Sequence, residues 1–266
     1  MPAGGSHGHG PRVGTAGWSI PRESAAAFPG EDQHLHRYAR VLSCAEINSS
    51  FHRSHKASVY ERWASSTPPG FRFSAKLPRT ISHDSGLVGT KALLARFLDE
   101  VAGLGEKLAV LLVQFPPSLA FDAGVVVPFF SDLRRRCTKA LVCEPRHASW
   151  FDAPAEATLI ECRVGRVAAD PARVAAAAVP GGWLGPSDDG REAVVYHRWH
   201  GSPQVYRSRY EPSWLRARAE DLARWPQGTD RWCIFDNTAS GAALPNALEM
   251  HTAMDAAAWI RAAGAP

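Results

Sequence analysis

The sequence predicts an α/β protein of the TIM-type (β/α)8 barrel class, and three observations carry that prediction. Strand-like runs alternate with helical stretches eight times along 266 residues, close to the roughly 250 residues typical of such a barrel. The fourth run, Leu108 through Phe115, is almost continuously apolar, as a strand buried on both faces of a parallel sheet must be. Chemically active side chains then recur at the ends of separate runs, where a barrel gathers its strand termini around one mouth.

In chain order the strand-like runs fall at 12–18, 43–48, 71–76, 108–114, 140–144, 166–170, 193–199 and 231–236. The helical stretches that separate them fall at 31–42, 56–66, 87–105, 122–136, 154–162, an Ala-rich piece at 171–179, 212–225 and 243–263. The sixth unit is the weakest. Pro180, Gly181, Gly182 and the stretch from Gly185 to Gly190 predict a short helix and a long loop there, and an irregular barrel at that point. Residues 1–11, rich in glycine and without an apolar core, are expected to be a disordered lead-in, and 12–266 a single domain.

Composition narrows the class. Hydrophobic residues make up 45% and charged residues 21%, which supports a large core and excludes a disordered chain. The net charge of +4 favours anionic ligands without requiring nucleic acid. The basic residues are overwhelmingly Arg, and Arg134, Arg135 and Arg136 read as a solvated helix end. The odd number of cysteines contains no CxxC pair and argues against a complete disulfide framework. No stretch reaches the ~18 apolar residues of a membrane span, so the expected location is cytoplasmic with no membrane partner.

An ordered set of motifs adds a resemblance. Gly14-Thr15-Ala16-Gly17-Trp18, Glu46-Ile47-Asn48-Ser49-Ser50-Phe51, Phe71 to Lys76 with Pro78-Arg79, Gln114-Phe115-Pro116-Pro117, Glu144-Pro145-Arg146-His147 with Ser149-Trp150, Arg198-Trp199-His200-Gly201, and Phe235-Asp236-Asn237 with Asn246-Ala247 follow one another. Together they resemble the YecE-like family, also known as domain of unknown function 72, over about residues 12 to 250. The resemblance implies a TIM-type barrel and no established activity. Two positions depart from the family pattern: His52 stands where Tyr is common, and Asp236 stands where a first Asn is common, adding a negative charge near the eighth strand.

The candidate catalytic residues are Glu46, Glu144 and His200, because two carboxylates in different environments divide acid and base roles and an imidazole titrates near neutrality. The candidate ligand-binding residues are Asn48, Lys76, Gln114, Arg146, Arg198, Asn237 and Trp18. Lys76 is read first as an anion-binding ammonium and, if desolvated, as a nucleophile toward a carbonyl. Arg146 and Arg198 suit a carboxylate or phosphate, with structural ion pairing as the competing reading. Arg198 and His200, two apart in a strand, share a face. The amides offer neutral hydrogen bonds, and Trp18, Phe51 and Trp150 either wall a pocket or pack the rim.

No phosphate-binding loop, dinucleotide turn or zincin helix is present. Glu46, Glu144, Asp170 and His200 are conceivable metal ligands, but Lys76, Arg146 and Arg198 at the same rim repel a divalent ion, so no metal and no cofactor is expected. The leading expectation is a metal-independent hydrolase or lyase on a small phosphorylated or sugar-containing anion. The alternatives left open are a noncatalytic or nucleic-acid-binding barrel, for which no recognition motif exists, and a metal-assisted phosphoesterase.

Overall fold

The structure, a computed structural model, describes residues 11–185, 194–226 and 228–263. Most of the expected lead-in, Ala193 at the start of the seventh run and most of the Gly185 to Gly190 stretch lie outside the described residues. The fold is α/β. Its strands are β1 (Arg12–Ala16), β2 (Cys44–Ile47), β3 (Arg72–Lys76), β4 (Leu108–Gln114), β5 (Ala140–Glu144), β6 (Gly165–Arg166), β7 (Ala168–Asp170), β8 (Gly181–Gly182), β9 (Val194–Trp199) and β10 (Asp230–Phe235). They form one sheet in the order β7-β9-β10-β1-β2-β3-β4-β5-β6-β8. Every pairing is parallel except β6 with β8.

The helices are α1 (His34–Ala39), α2 (Ala57–Ser65), α3 (Lys91–Val101), α4 (Ala123–Arg136), α5 (Ala153–Glu161), α6 (Pro212–Ala223) and α7 (Ala243–Ala263). Their start and stop signals are local. The Asp122 carboxylate accepts from Gly124 N at 2.8 Å before α4, satisfying one of the orphan donors of the first turn. At the other end Arg134 donates to Lys139 O at 2.9 Å while Arg135 and Arg136 pair with Asp132, so the arginine run closes a helix terminus instead of presenting a bare basic patch. Among the described residues no helix is long and apolar enough to cross a membrane.

Two expectations need correction. The Ala-rich stretch at 171–179 forms no α-helix, only a 3-10 turn over Ala175–Ala178. Pro171 and Pro180 bracket it and Val174 and Val179 are extended, which leaves too few residues to nucleate a helix. The sixth strand, expected as one run at 166–170, is split at Val167: β6 pairs with β5, whereas β7 pairs with β9. The sheet assigned this way has two ends and is not closed. The hairpin-like addition of β8 on β6 was not foreseen, since two glycines carry no strand signal.

Strand parity determines what the two faces bury. Val13, Ala45, Phe73, Leu111, Leu141 and Phe235 belong to the large core under the helices. The alternate positions form a second core, including Cys44, Val110, Leu112, Val142, Tyr196 and Ile234. Continuing that second set by steps of two reaches Glu46, Lys76, Gln114, Glu144, Arg198 and Asp236. The same alternation that builds the inner core therefore carries six polar side chains to its carboxyl end.

The tightest backbone approach in this inner set is at Gly14. A Cβ built there would lie 2.1 Å from the Cys44 carbonyl oxygen and 2.8 Å from its carbon, and two backbones paired in one sheet cannot part without losing β1–β2 registry. Gly14→Ala is expected to lower stability by at least the ~1–3 kcal/mol of an overpacked core, read as a lower urea midpoint. Gly70→Ala, where nothing lies within 4 Å, is the control and should leave the midpoint unchanged or slightly raised.

Candidate active site

Arg198, at the end of β9, is completely buried. Its fork faces two carboxylates and part of a third: Nε and Nη2 donate to Glu46 Oε2 and Oε1 at 2.9 and 2.7 Å, and Nη2 also reaches Asp236 Oδ2 at 3.0 Å. Nη1 donates to Glu144 Oε2. A guanidinium can do this because its donors lie in one plane and stay charged under burial. Tyr196, two residues earlier on the same face, donates to Glu46 Oε2 at 3.0 Å and meets Ser74 Oγ at 2.6 Å.

His200 completes the ring of charge. Nδ1 lies 3.0 Å from Asp236 Oδ2 and Nε2 lies 2.9 Å from Glu144 Oε1. Arg146 binds the same Glu144 oxygen through Nε at 3.1 Å and Nη2 at 2.7 Å. Burial alone would pull the His200 pKa down, but Glu144 and Asp236 lift it above the usual value, which favours an imidazolium donating from both nitrogens. For Glu144, burial raises the carboxyl and Arg198, His200 and Arg146 outweigh it, so its pKa is held well below the ordinary range. Asp236 is likewise lowered, by Arg198 and His200 against burial.

Lys76 differs from all of these. It is only 5% exposed, and its Nζ sits 4.0 Å from the centre of the Phe51 ring, within cation–π range. Among the described residues its ammonium has no hydrogen-bond or ion-pair partner, although its carbonyl oxygen accepts from Ser50 Oγ at 2.6 Å. Burial first, then Arg198, lowers its pKa to about 8, even though Glu46, Glu144 and Asp236 oppose the shift. His83, on the π-helical turn over Thr80–Asp84 that follows β3, packs edge-on to the same Phe51 ring at 4.9 Å. Burial, with Lys76 and Arg79 nearby, lowers the His83 pKa.

The predicted site residues therefore fall into groups. Glu46, Glu144, Arg146, Arg198 and His200 are joined by direct contacts, and Lys76 shares their electrostatic environment. Gln114 stands in register with Glu144, half-buried, with no side-chain hydrogen bond among the described residues. Asn48 is half-buried with Oδ1 unpaired. Asn237 is elsewhere: Nδ2 donates to Ser208 O and to Asn246 Oδ1, both at 2.9 Å, tying down a loop. It lies one residue past Asp236 and so faces the opposite side. Trp18 packs edge-on against Trp63 and Phe73 at 5.0 and 6.0 Å, and Trp150 is buried in a stack on Phe115.

Asp236, Tyr196, Ser74 and His83 were missing from the sequence-based set. Parity with Arg198 and Lys76 would have found the first three, whereas His83 lies in a turn without any periodic signal. Asp170, considered above as a metal ligand, accepts from Tyr210 Oη at 2.7 Å. The three cluster carboxylates are already spent on Arg198, Arg146 and His200, and among the described residues no group of three His, Cys, Asp or Glu could hold a metal ion. A cavity of about 20 Å³ opens beside Glu144, Arg146, Arg173 and His200, room for about one water. A concavity of about 870 Å³ between α6 and α7 contains no member of the charge cluster. It is a groove between two outer helices, with Arg216, Glu220, Arg224 and Glu249 along its sides.

The sequence of the whole chain matches one family model, that of the protein of unknown function DUF72, over residues 12–265. This chain belongs to the DUF72 family. The DUF72 chain is also 31% identical over 104 residues to the UPF0759 protein YecE of Escherichia coli strain K12, a match covering 39% of this chain and 37% of that relative's length. A crystal structure of a DUF72 family protein from Thermotoga maritima superposes with a TM-score of 0.73 at 23% identity, covering 93% of this chain and all of the other. One from Enterococcus faecalis gives 0.72 at 19% identity, covering 92% and 95% of the two chains. At such identities the solved structures show a shared fold alone.

In this DUF72 chain Arg198 is the common counter-charge of three buried carboxylates. Arg198→Met should therefore cost about 3–5 kcal/mol, the range for breaking a buried pair, and Arg198→Lys should not restore it because an ammonium lacks the fork. Glu144 and Asp236 have depressed pKa values, so their stabilisation is present above the unfolded carboxyl values near 4 and is lost as pH falls through the folded ones. In Arg198→Met that dependence weakens. Urea midpoints measured from about pH 7 down to about pH 2 should show the gap between the two proteins holding steady above about pH 4 and closing below it.

Proposed function

We propose that this chain is an eight-unit barrel of the TIM type whose carboxyl-end mouth binds a small phosphorylated or sugar-derived anion and acts on it as a metal-independent hydrolase or lyase. The barrel reading is supported by the split sixth strand, because residues on either side of Val167 pair with β5 and with β9. Counted as one, they leave eight strands around the inner core, with β8 as an addition. Contacts between Arg198 on β9 and both Glu46 on β2 and Glu144 on β5 fit the same closure, as does the habit of such barrels of collecting chemistry at their strand ends.

The observation that carries the function is Lys76. Among the described residues Arg146, Arg198, His200, Glu46, Glu144 and Asp236 all pair with one another, whereas the Lys76 ammonium has no hydrogen-bond or ion-pair partner. With His200 protonated, Arg146, Arg198, His200 and Lys76 face Glu46, Glu144 and Asp236, one positive charge in excess, which a bound anion neutralises. His200 supplies a proton in this reading. Its Nδ1–H stays on Asp236, while the proton on Nε2 is the one to be released, after which Nε2 can accept from Arg146 Nη2, 3.4 Å away. The 20 Å³ cavity is smaller than a sugar, so binding in this reading includes opening of the mouth.

Calorimetry with inorganic phosphate and with a panel of sugar phosphates and hydroxy acids tests this. Anion affinity should fall as pH rises from about 7 to about 9, because Lys76 loses its charge around a pKa of about 8. Lys76→Met, which keeps the apolar stem, should lose about 1.5–3 kcal/mol of binding, roughly ten- to hundredfold, with little loss of stability. Unchanged anion affinity together with a lowered melting temperature would make Lys76 scaffold and remove the basis of the proposal.

A further inference from the structure

We infer that the Lys76 amine is a covalent capture group, condensing with the carbonyl of a small substrate that also bears an anionic group, such as an oxo acid or a sugar phosphate in its open-chain form. This inference rests on the anion-binding reading and deepens it by naming the substrate class. Its geometric ground is the contrast between two lysines of one chain. Lys107 Nζ donates to Ala64 O at 2.6 Å, to Thr67 O at 2.5 Å and to Thr67 Oγ1 at 2.8 Å, which is how an ammonium looks when it serves structure. Lys76 is more buried than Lys107 and has none of these acceptors; its Nζ rests on the Phe51 face.

A buried ammonium without a hydrogen bond is costly to keep, and losing its proton removes that cost. Burial and Arg198 hold the group at about 8, so roughly a tenth is free amine near neutrality, enough for a nucleophile. The surroundings suit the remaining steps. The amine lone pair attacks the carbonyl carbon, and the C=O π pair moves to oxygen, which takes a proton. A second proton makes that hydroxyl leave as water while the nitrogen pair closes the C=N bond. Starting from the ammonium, the products are a protonated imine and one water, with no net change in protons and no electrons exchanged. His200 and solvent supply and recover the protons in transit. The iminium then draws electrons from a neighbouring C–C or C–H bond, and His200, once it has given up its Nε2 proton, accepts a proton released there. That is lyase-type chemistry and needs no metal.

Borohydride trapping tests the inference on the full-length protein. Pyruvate, glyoxylate and glycolaldehyde phosphate are the carbonyl probes, and peptide mapping locates any reduced adduct among Lys56, Lys76, Lys91, Lys107 and Lys139, the lysines of the chain. With at least one probe, label should accumulate at Lys76 at least tenfold faster than at the other lysines, faster at about pH 8 than at about pH 7. It should slow when lactate, which has the anionic group without the carbonyl, is added in excess. Lys76→Arg, which keeps the charge, should lose the label at this position and still bind lactate by calorimetry. If lactate or phosphate binds but no probe labels Lys76 above the other lysines, the amine proposal is overturned and the anion site stands. If neither anion binds and labelling is spread over the exposed lysines, both fall.

Discussion

A single buried guanidinium holds three strand ends together. Glu46 comes from β2, Glu144 from β5 and Asp236 follows β10, and each carries a negative charge into a space from which water is largely excluded. Any two of them alone would repel. Arg198 contacts all three, and the positions of His200 and Arg146 depend on the carboxylates it fixes. Burying such a group is expensive, and hydrophobic residues of the same shape often do as well for stability.

The arrangement also explains why Lys76 is left over. Arg198 saturates Glu46, Arg146 and His200 take up the remaining acceptor capacity of Glu144, and Asp236 is shared between Arg198 and His200. Lys76 stands near these charges, feels them, and bonds to none. Arg198 repels it as well, so the group that secures the carboxylates also lowers the lysine's affinity for its proton. Structure and electrostatics are thus linked through one residue: the interaction that stabilises the inner face is the one that leaves the Lys76 amine without a hydrogen-bond partner among the described residues.

Most of this was legible in the chain itself, for a physical reason. Strand alternation is strict, and the polar residues that ended apolar runs at positions 46, 76, 144 and 198 had to share a face once the runs paired in parallel. The family resemblance, read from ordered motifs, agrees with the family model. What could not be read depended on register or on irregular backbone. Asn237 and Asp236 differ by a single position, and it is Asp236 that contacts the charge cluster while the expected Asn237 holds a loop. The Ala-rich stretch at 171–179 has high helix propensity, yet two prolines and two extended valines overrode it. His83 belongs to a turn, where periodicity says nothing, and Trp18 had the composition of a pocket wall and the packing of a core aromatic.

The central claim, that Lys76 is an unpaired ammonium poised for an anionic ligand, is tested most directly by following its own titration. Lysine-selective carbon-13 or nitrogen-15 NMR, with the Lys76 resonance assigned by its loss in Lys76→Arg, reports the pKa of that one side chain. The account predicts a midpoint of about 8, moving upward when inorganic phosphate is added because a bound anion favours the charged form. A midpoint at the ordinary lysine value near 10.4 that does not respond to phosphate would contradict it.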